Sequence, residues 1–201
     1  MWSFNRRRDE GDIEKEEVSW VGPLSWPGFE EANGVDGIPR DIQGVYVFTF
    51  KYRDGYLLYS TGISKSIRKR FSSHTREYRK GNYNVLDVSS AERGERKEIW
   101  HGWGYAKQHQ DEFIYNKELI LSAVEDQLQS FRVFVAEIED SRKRERIEAA
   151  IMQGIYTSKE HWSELSDRGM FLKGRCNSEM PINLVNICSN KIYGLPNAIE
   201  I

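Results

Sequence analysis

Hydrophobic residues are concentrated in two short runs in the first third of the chain, at residues 45–50 and 56–59. Both runs are rich in β-branched and aromatic side chains, a composition typical of strands. Arg-Asp-Gly at residues 53–55 separates them, and its glycine supplies the positive φ that a tight reversal needs. The pattern predicts a β-hairpin.

After Gly62 the spacing of apolar positions changes from that of a strand to that of a helix. Ile67, Phe71 and Tyr78 fall within roughly 40° of one another when the chain is wound at 100° per residue. Ser64 is of a type that caps helices. The sequence therefore predicts strand, turn, strand and helix, in that order.

The predicted helix also has a basic face, which consists of Lys65, Arg68, Lys69, Arg76, Arg79 and Lys80. Arg70 differs from these residues, since it lies about 60° from Ile67, on the flank of the apolar stripe. His74 follows one turn later on the same side. An arginine in this position requires an anion, which is either a carboxylate of the protein or a phosphate.

Further elements are predicted later in the chain. Residues 131–138 form a strand by alternation and β-branching, and Asp140 or Ser141 begins the helix that follows. Residues 111–129 are predicted as one helix within an insertion at residues 81–130. Residues 181–188 are a candidate final strand.

Glu148 lies at the edge of the apolar stripe of the later helix, about 60° from Ile151 and about 20° from Ile155. A carboxylate in that position has two interpretations. It forms a structural ion pair, for which Arg70 is a candidate, or it binds a hard divalent cation, Mg²⁺ or Mn²⁺, whose other ligands are mostly water.

Residues 1–40 are predicted as an N-terminal arm, because tryptophans alternate with prolines and glycines there. We expect it to pack on its own domain, with a second subunit or nucleic acid as alternatives. Residues 6–8 are three arginines that could contact phosphate, although a frayed terminus is the simpler interpretation. Residues 41–201 then form the main domain.

Composition restricts the class of protein further. The chain has 201 residues, 39% of them hydrophobic and 30% charged, as in a globular protein. It has neither a long apolar segment nor an apolar run after its N-terminal arginines, so we expect a cytoplasmic protein without a membrane span or secretory signal. Cys176 and Cys188 are expected to remain reduced, and His101 and His109 form a poor metal site.

The hairpin and helix resemble the GIY-YIG nuclease family. Gly-Val-Tyr at residues 44–46 matches the first family triplet, and residues 59–62 replace the second. Arg70 lies where the family has its catalytic arginine, and some members have a histidine at the position of His74. Glu148 matches the metal-binding glutamate of the family.

The resemblance covers roughly residues 41–188 and implies a function. Tyr46 would activate or position the attacking water, Arg70 would bind the phosphate, and Glu148 would hold one Mg²⁺ or Mn²⁺ ion. His74 and Tyr59 would assist proton transfer or orientation. The late asparagine of the family corresponds best to Asn183, which would fix the geometry of the site.

One position departs from the family. The second tyrosine lies two residues before the glycine in the family, but Ser60 is in that position here and Tyr59 is one residue early. A slip of one residue turns a strand side chain to the opposite face. Either a β-bulge restores Tyr59 to the site or the site lacks its second tyrosine.

The sequence thus predicts an α+β fold, with a small three-stranded, mostly antiparallel sheet flanked by helices, an N-terminal arm and an inserted helical segment. The implied function is a metal-dependent endonuclease acting on duplex DNA, with restriction as one setting and a homodimer as one route to cutting both strands. Net charge is −2, but the basic helix face beside this motif indicates contact with phosphates. The alternatives are a nucleic-acid-binding module of the same fold that does not cut, and a structural or partner-binding domain.

Overall fold

A computed structural model describes residues 14–38 and 42–201. Its strands are β1 (Glu14–Ser25), β2 (Gly44–Tyr52), β3 (Gly55–Ser64), β4 (Val85–Leu86), β5 (Glu98–Trp100), β6 (Arg132–Glu137), β7 (Ile182–Cys188), β8 (Ile192–Tyr193) and β9 (Ala198–Glu200). Its helices are α1 (Glu30–Asn33), α2 (Ile67–Arg79), α3 (Val88–Ala91), α4 (Trp103–Gln108), α5 (Gln110–Tyr115), α6 (Lys117–Ser130) and α7 (Ser141–Thr157), with a 3₁₀ helix at His161–Glu164.

Seven strands form one curled, mixed sheet in the order β8-β3-β2-β6-β1-β7-β9, and β4 pairs with β5 separately. The prediction of a small three-stranded sheet is therefore wrong. The three predicted strands are present as β3, β2 and β6, and they are adjacent and antiparallel. Parallel pairing of β1 with β7 and of β8 with β3 makes the larger sheet mixed.

The main cause of the difference is β1. Residues 14–25, predicted as part of an arm, lie inside the sheet between β6 and β7. Val18 and Trp20 are buried on one side of this strand, as period-two alternation requires. Gly22 and Pro23 interrupt that alternation in the sequence. In the structure the register between β1 and β6 shifts at the same point, between Val21 and Leu24. Residues 6–8 lie outside the described residues.

The sheet separates two hydrophobic cores. Tyr46, Phe48 and Phe50 project from one face of β2 into a core shared with α2 and α6. Val45 and Val47 project from the opposite face into a core shared with α7. Alternation along β2 thus places helices on both sides of the sheet, and β2 is buried along most of its length.

The helices predicted after Gly62 and after Asp140 have the predicted buried faces. On α2 the buried residues are Ile67, Phe71, His74 and Tyr78, and on α7 they include Ile147, Ile151 and Ile155. Asp140 caps α7 by accepting a hydrogen bond from the Lys143 amide at 2.6 Å. The position of the α2 cap was predicted wrongly, because Ser64 ends β3 and Ser66 occupies the N-cap position.

The insertion at residues 81–130 contains α3 to α6 and the β4–β5 pair. The predicted single helix at residues 111–129 is instead broken at Asn116, between α5 and α6. The Asn116 side-chain amide donates a hydrogen bond back to the Glu112 carbonyl at 3.2 Å, which competes with a continuous helix. In the described ranges no helix combines the length and apolar character needed to cross a membrane.

Candidate active site

Five of the six predicted catalytic residues line one cleft at the edge of the β2–α2 core. They are Tyr46 on β2, Tyr59 on β3, Arg70 and His74 on α2, and Glu148 on α7. Strand alternation turns Tyr46 towards α2, and the spacing of four places Arg70 and His74 on one helix face. The cleft therefore combines residues from both sides of the sheet.

Tyr46 is the centre of a hydrogen-bonded chain. Its hydroxyl lies 2.8 Å from His74 Nε2 and accepts a hydrogen bond from Arg70 Nε at 3.2 Å. A guanidinium can only donate, so the phenol proton is free to be donated to His74 Nε2. His74 then carries its own proton on Nδ1, which is buried without a partner among the described residues.

The protonation states of this chain follow from its burial. Tyr46 is 1% exposed, and burial raises its pKa to about 12 although Arg70 acts in the opposite direction. Burial and then the charge of Arg70 lower the pKa of His74 to about 3. At neutral pH the pair is a phenol and a neutral imidazole. Tyr46 is thus placed to orient a water or pass on a proton rather than to act as a standing phenolate base.

Gly62 allows this arrangement. It pairs with Tyr46 across the β2–β3 ladder, and the tyrosine ring lies over it. A Cβ atom at Gly62 would meet the Tyr46 hydroxyl and would lie 2.5 Å from Cζ of the ring. The glycine of the second triplet is therefore required for close approach of the tyrosine of the first.

Glu148 is half-buried beside Arg70. Desolvation raises the pKa of its carboxyl to about 7, against the opposing effect of Arg70. Among the described residues no hydrogen bond is formed by its carboxylate, and no ion pair joins it to Arg70. The structure does not contain the Glu148–Arg70 ion pair that was one interpretation of the sequence.

A divalent cation fits this carboxylate chemically. A carboxylate shielded from water and without a cationic partner is stabilised by a positive ion, and hard oxygen ligands are those that Mg²⁺ prefers. The described residues contain no cluster of three or more His, Cys, Asp or Glu side chains that could enclose a metal. A metal at Glu148 would therefore keep most of its water ligands, as Mg²⁺ commonly does.

Tyr59 occupies a β-bulge. Phe48 pairs with Ser60 and Thr49 pairs with Leu58, which leaves Tyr59 as the extra residue of β3. The bulge places the Tyr59 ring on the same side of the sheet as Phe48, with ring centroids 5.7 Å apart. The sequence left open whether a β-bulge is present or the second tyrosine is missing from the site, and the structure has the bulge.

The Tyr59 hydroxyl, however, is already occupied. It donates a hydrogen bond to Asp167 Oδ2 at 3.0 Å, and the side chain is 1% exposed. Burial, followed by the charge of Asp167, raises its pKa well above the usual value. Tyr59 therefore supports the wall of the cleft rather than presenting a free hydroxyl.

Asp167 was missed by the sequence analysis. Its Oδ1 accepts hydrogen bonds from Asn84 Nδ2 at 2.6 Å and Arg96 Nη2 at 2.8 Å, while its Oδ2 accepts the bond from Tyr59. It lines the cleft from the loop after the 3₁₀ helix. No periodic pattern surrounds it in the sequence, so local spacing carried no signal for its position.

Asn183, the sixth predicted residue, is not brought to the cleft. It lies on β7, where it pairs with Lys15 of β1 and Glu200 of β9. β7 is three strands from β2, which corresponds to about 14 Å at the usual strand spacing.

The six predicted phosphate-binding residues are all exposed on or next to α2. Three of them contact acidic side chains: Arg79 bonds Glu125 of α6 at 2.8 Å, and Arg76 and Lys80 lie near Glu77. Lys65 and Lys69 have no ion-pair partner within the described residues. Together with Arg68 they lie at the end of α2 that carries Arg70, and all three are exposed.

His101 and His109 both contact the ring of Tyr105, with centroids 5.5 and 3.6 Å away, and each has another polar partner. His101 Nδ1 lies 2.7 Å from Glu98, and His109 Nδ1 lies 2.9 Å from the Tyr105 carbonyl oxygen. Cys176 and Cys188 are free thiols.

Comparison of the chain with models of protein families, with curated proteins and with solved structures found no match.

Proposed function

We propose that this chain is a metal-dependent endonuclease that hydrolyses phosphodiester bonds of DNA. The observation that carries the proposal is the Arg70–Tyr46–His74 hydrogen-bonded chain, which shares a cleft with the carboxylate of Glu148, a group without a bonded partner among the described residues. It supports the assignment suggested by the GIY-YIG resemblance, because a cation, a proton relay and a candidate metal ligand converge from distant parts of the chain.

Phosphodiester hydrolysis requires binding of the phosphate, removal of a proton from the attacking water and stabilisation of the leaving oxygen. Arg70 would bind a non-bridging phosphate oxygen, because its Nε is used by Tyr46 while the rest of its guanidinium is available for bidentate contacts. A Mg²⁺ or Mn²⁺ ion held by Glu148 would supply Lewis-acid stabilisation of the charge that develops on the phosphate.

Tyr46 and His74 would carry the proton. As the water oxygen bonds to phosphorus, the Tyr46 oxygen takes a proton from the water and passes its own proton to His74 Nε2. The bond between phosphorus and the sugar oxygen breaks, and that oxygen takes a proton from solvent. Binding of the anionic phosphate opposes the field of Arg70, which makes His74 a stronger base than in the free protein.

A second candidate function is a DNA-binding module that does not cut. It is favoured by the low pKa of His74 and by the Tyr59 hydroxyl, which is held by Asp167. In that case the basic end of α2 would bind phosphates with strong dependence on salt, and the cleft would turn over no substrate.

Cleavage of supercoiled plasmid, with Mg²⁺ and with EDTA, separates the two candidates. The wild type should nick or cut only with metal, and Glu148→Ala and Arg70→Ala should each abolish cutting. The control is Glu118→Ala, which removes an exposed carboxylate of α6 and should cut like the wild type. Folded wild-type protein that binds DNA but leaves plasmid intact would refute the enzyme and favour the binding module.

A further inference from the structure

Trp103, at the start of α4, is 49% exposed although it is a large aromatic residue next to the catalytic cleft. One side of its ring contacts Tyr83, with centroids 5.1 Å apart and planes tilted by 41°. Tyr83 in turn contacts His74, with centroids 5.6 Å apart. A series of three rings thus leads from the relay histidine to the surface.

The backbone of Trp103 is strained. Its φ is 55°, a left-handed conformation that is unfavourable for a residue with a bulky side chain. Two hydrogen bonds fix this turn: the Trp103 amide donates to the Asn82 carbonyl at 2.8 Å, and the Gly102 amide donates to Asn84 Oδ1 at 2.6 Å. Strain that is maintained by surrounding contacts is typical of functional positions.

The cleft is narrow, with a volume of about 90 Å³, and it is open on one side. A phosphate group that approaches Arg70 and Glu148 from that side leaves its attached base near the rim. Trp103 is at that rim, and its indole Nε1 is directed to Asp167 Oδ2 at 3.4 Å, which orients the ring.

We propose that Trp103 is a stacking platform for the nucleobase next to the scissile phosphate. This inference rests on the proposed function and specifies its substrate. A base exposes its face to a protein ring only when a neighbour in the base stack has been displaced, so the DNA is kinked, unpaired or single-stranded where it is cut.

Binding of short fluorescent oligonucleotides in EDTA tests the platform without cleavage. The probes are a thymidine decamer and a strand of equal length in which abasic sugars replace the bases. Loss of one stacked base weakens binding by roughly 5- to 100-fold. Trp103→Ala should show this loss on the thymidine strand, Trp103→Phe should stay within a few-fold of the wild type, and neither should change binding of the abasic strand.

Tyr115→Ala, which removes an 88% exposed ring of α5, is the matched control and should bind both strands like the wild type. Trp103→Gly removes the ring and also relieves the positive φ, so it should bind like Trp103→Ala while folding at least as well. Equal weakening on both strands, or no weakening by Trp103→Ala, would overturn the stacking platform. If the wild type cuts plasmid in that case, the nuclease assignment is unaffected.

Discussion

The hydroxyl of Tyr46 lies 2.8 Å from Nε2 of His74, and both side chains are almost completely buried. The two groups are 28 residues apart in the chain and come from a strand and a helix. Arg70 donates to the same phenol oxygen, which leaves the tyrosine proton available to His74 Nε2 in the tautomer that carries its proton on Nδ1. This arrangement allows specific expectations.

Tyr46→Phe should separate catalysis from folding. The change removes the hydroxyl that accepts from Arg70 and donates to His74. We expect the cleavage rate to fall by about 10²- to 10⁴-fold. We also expect the free energy of unfolding to fall by about 1–2 kcal/mol. Single-turnover rates and thermal melts measure the two effects. Tyr115→Phe, at an exposed position of α5, should change neither, and unchanged cutting by Tyr46→Phe would exclude the relay.

The carboxyl of Glu148 should make stability depend on pH. Its pKa is raised from 4.5 to about 7 in the folded protein, so the protonated form stabilises the fold at low pH and that stability is lost as pH rises through 7. Glu148→Gln should therefore match the wild type near pH 4.5 and exceed it at pH 8 by about 1–2 kcal/mol after solvent screening. Thermal melts across this range check the prediction.

Mg²⁺ provides the complementary test. If the proposed metal site is correct, Mg²⁺ should raise the melting temperature of the wild type at pH 8, because it would bind the ionised carboxylate of the folded state. It should have no effect on the melting temperature of Glu148→Gln. Equal stabilisation of both proteins would place the ion elsewhere.

The pH dependence of cleavage should come from Glu148 rather than from His74. We expect the rate to rise as pH increases through about 7 and the midpoint to move lower as Mg²⁺ concentration increases, since metal competes with protons for the carboxylate. His74, with its pKa lowered to about 3, should contribute no step near 6.5. A midpoint that is independent of Mg²⁺ would contradict this assignment.

Gly62→Ala should displace the Tyr46 ring, since the added methyl group overlaps the ring and its hydroxyl. We expect a loss of about 1–3 kcal/mol in stability and a lower cleavage rate. Gly154→Ala is the matched control, because its Cβ meets nothing within 4 Å on α7. That change should stabilise the helix by about 0.5–1 kcal/mol. Denaturant titrations of both variants would reveal the opposite signs.

Asn183→Ala tests how far the family resemblance extends. Because Asn183 lies on β7, outside the cleft, we expect its loss to change the cleavage rate less than threefold, in contrast to Arg70→Ala. The comparison uses plasmid cleavage under identical conditions. A loss comparable to that of Arg70→Ala would show that Asn183 acts on the site from a distance.

Local pattern was sufficient for the elements that carry most of the site. Alternation along β2 determined the face of Tyr46, and the spacing of four on α2 determined that Arg70 and His74 share a side. Stripe geometry likewise put Glu148 at the edge of a buried face on α7. These properties depend on the few neighbouring residues, so the amino-acid order alone determined them.

The way in which distant segments meet depends on long-range contacts of the folded chain. Insertion of β1 between β6 and β7 depends on pairing across more than 100 residues, and it enlarged the sheet beyond three strands. The bulge at Tyr59, the hydrogen bonds to Asp167 and the remoteness of Asn183 follow from such contacts as well. Local periodicity specifies which face of a strand or helix a side chain occupies. Long-range pairing specifies what that face contacts, and a short window of the sequence contains no information on this pairing.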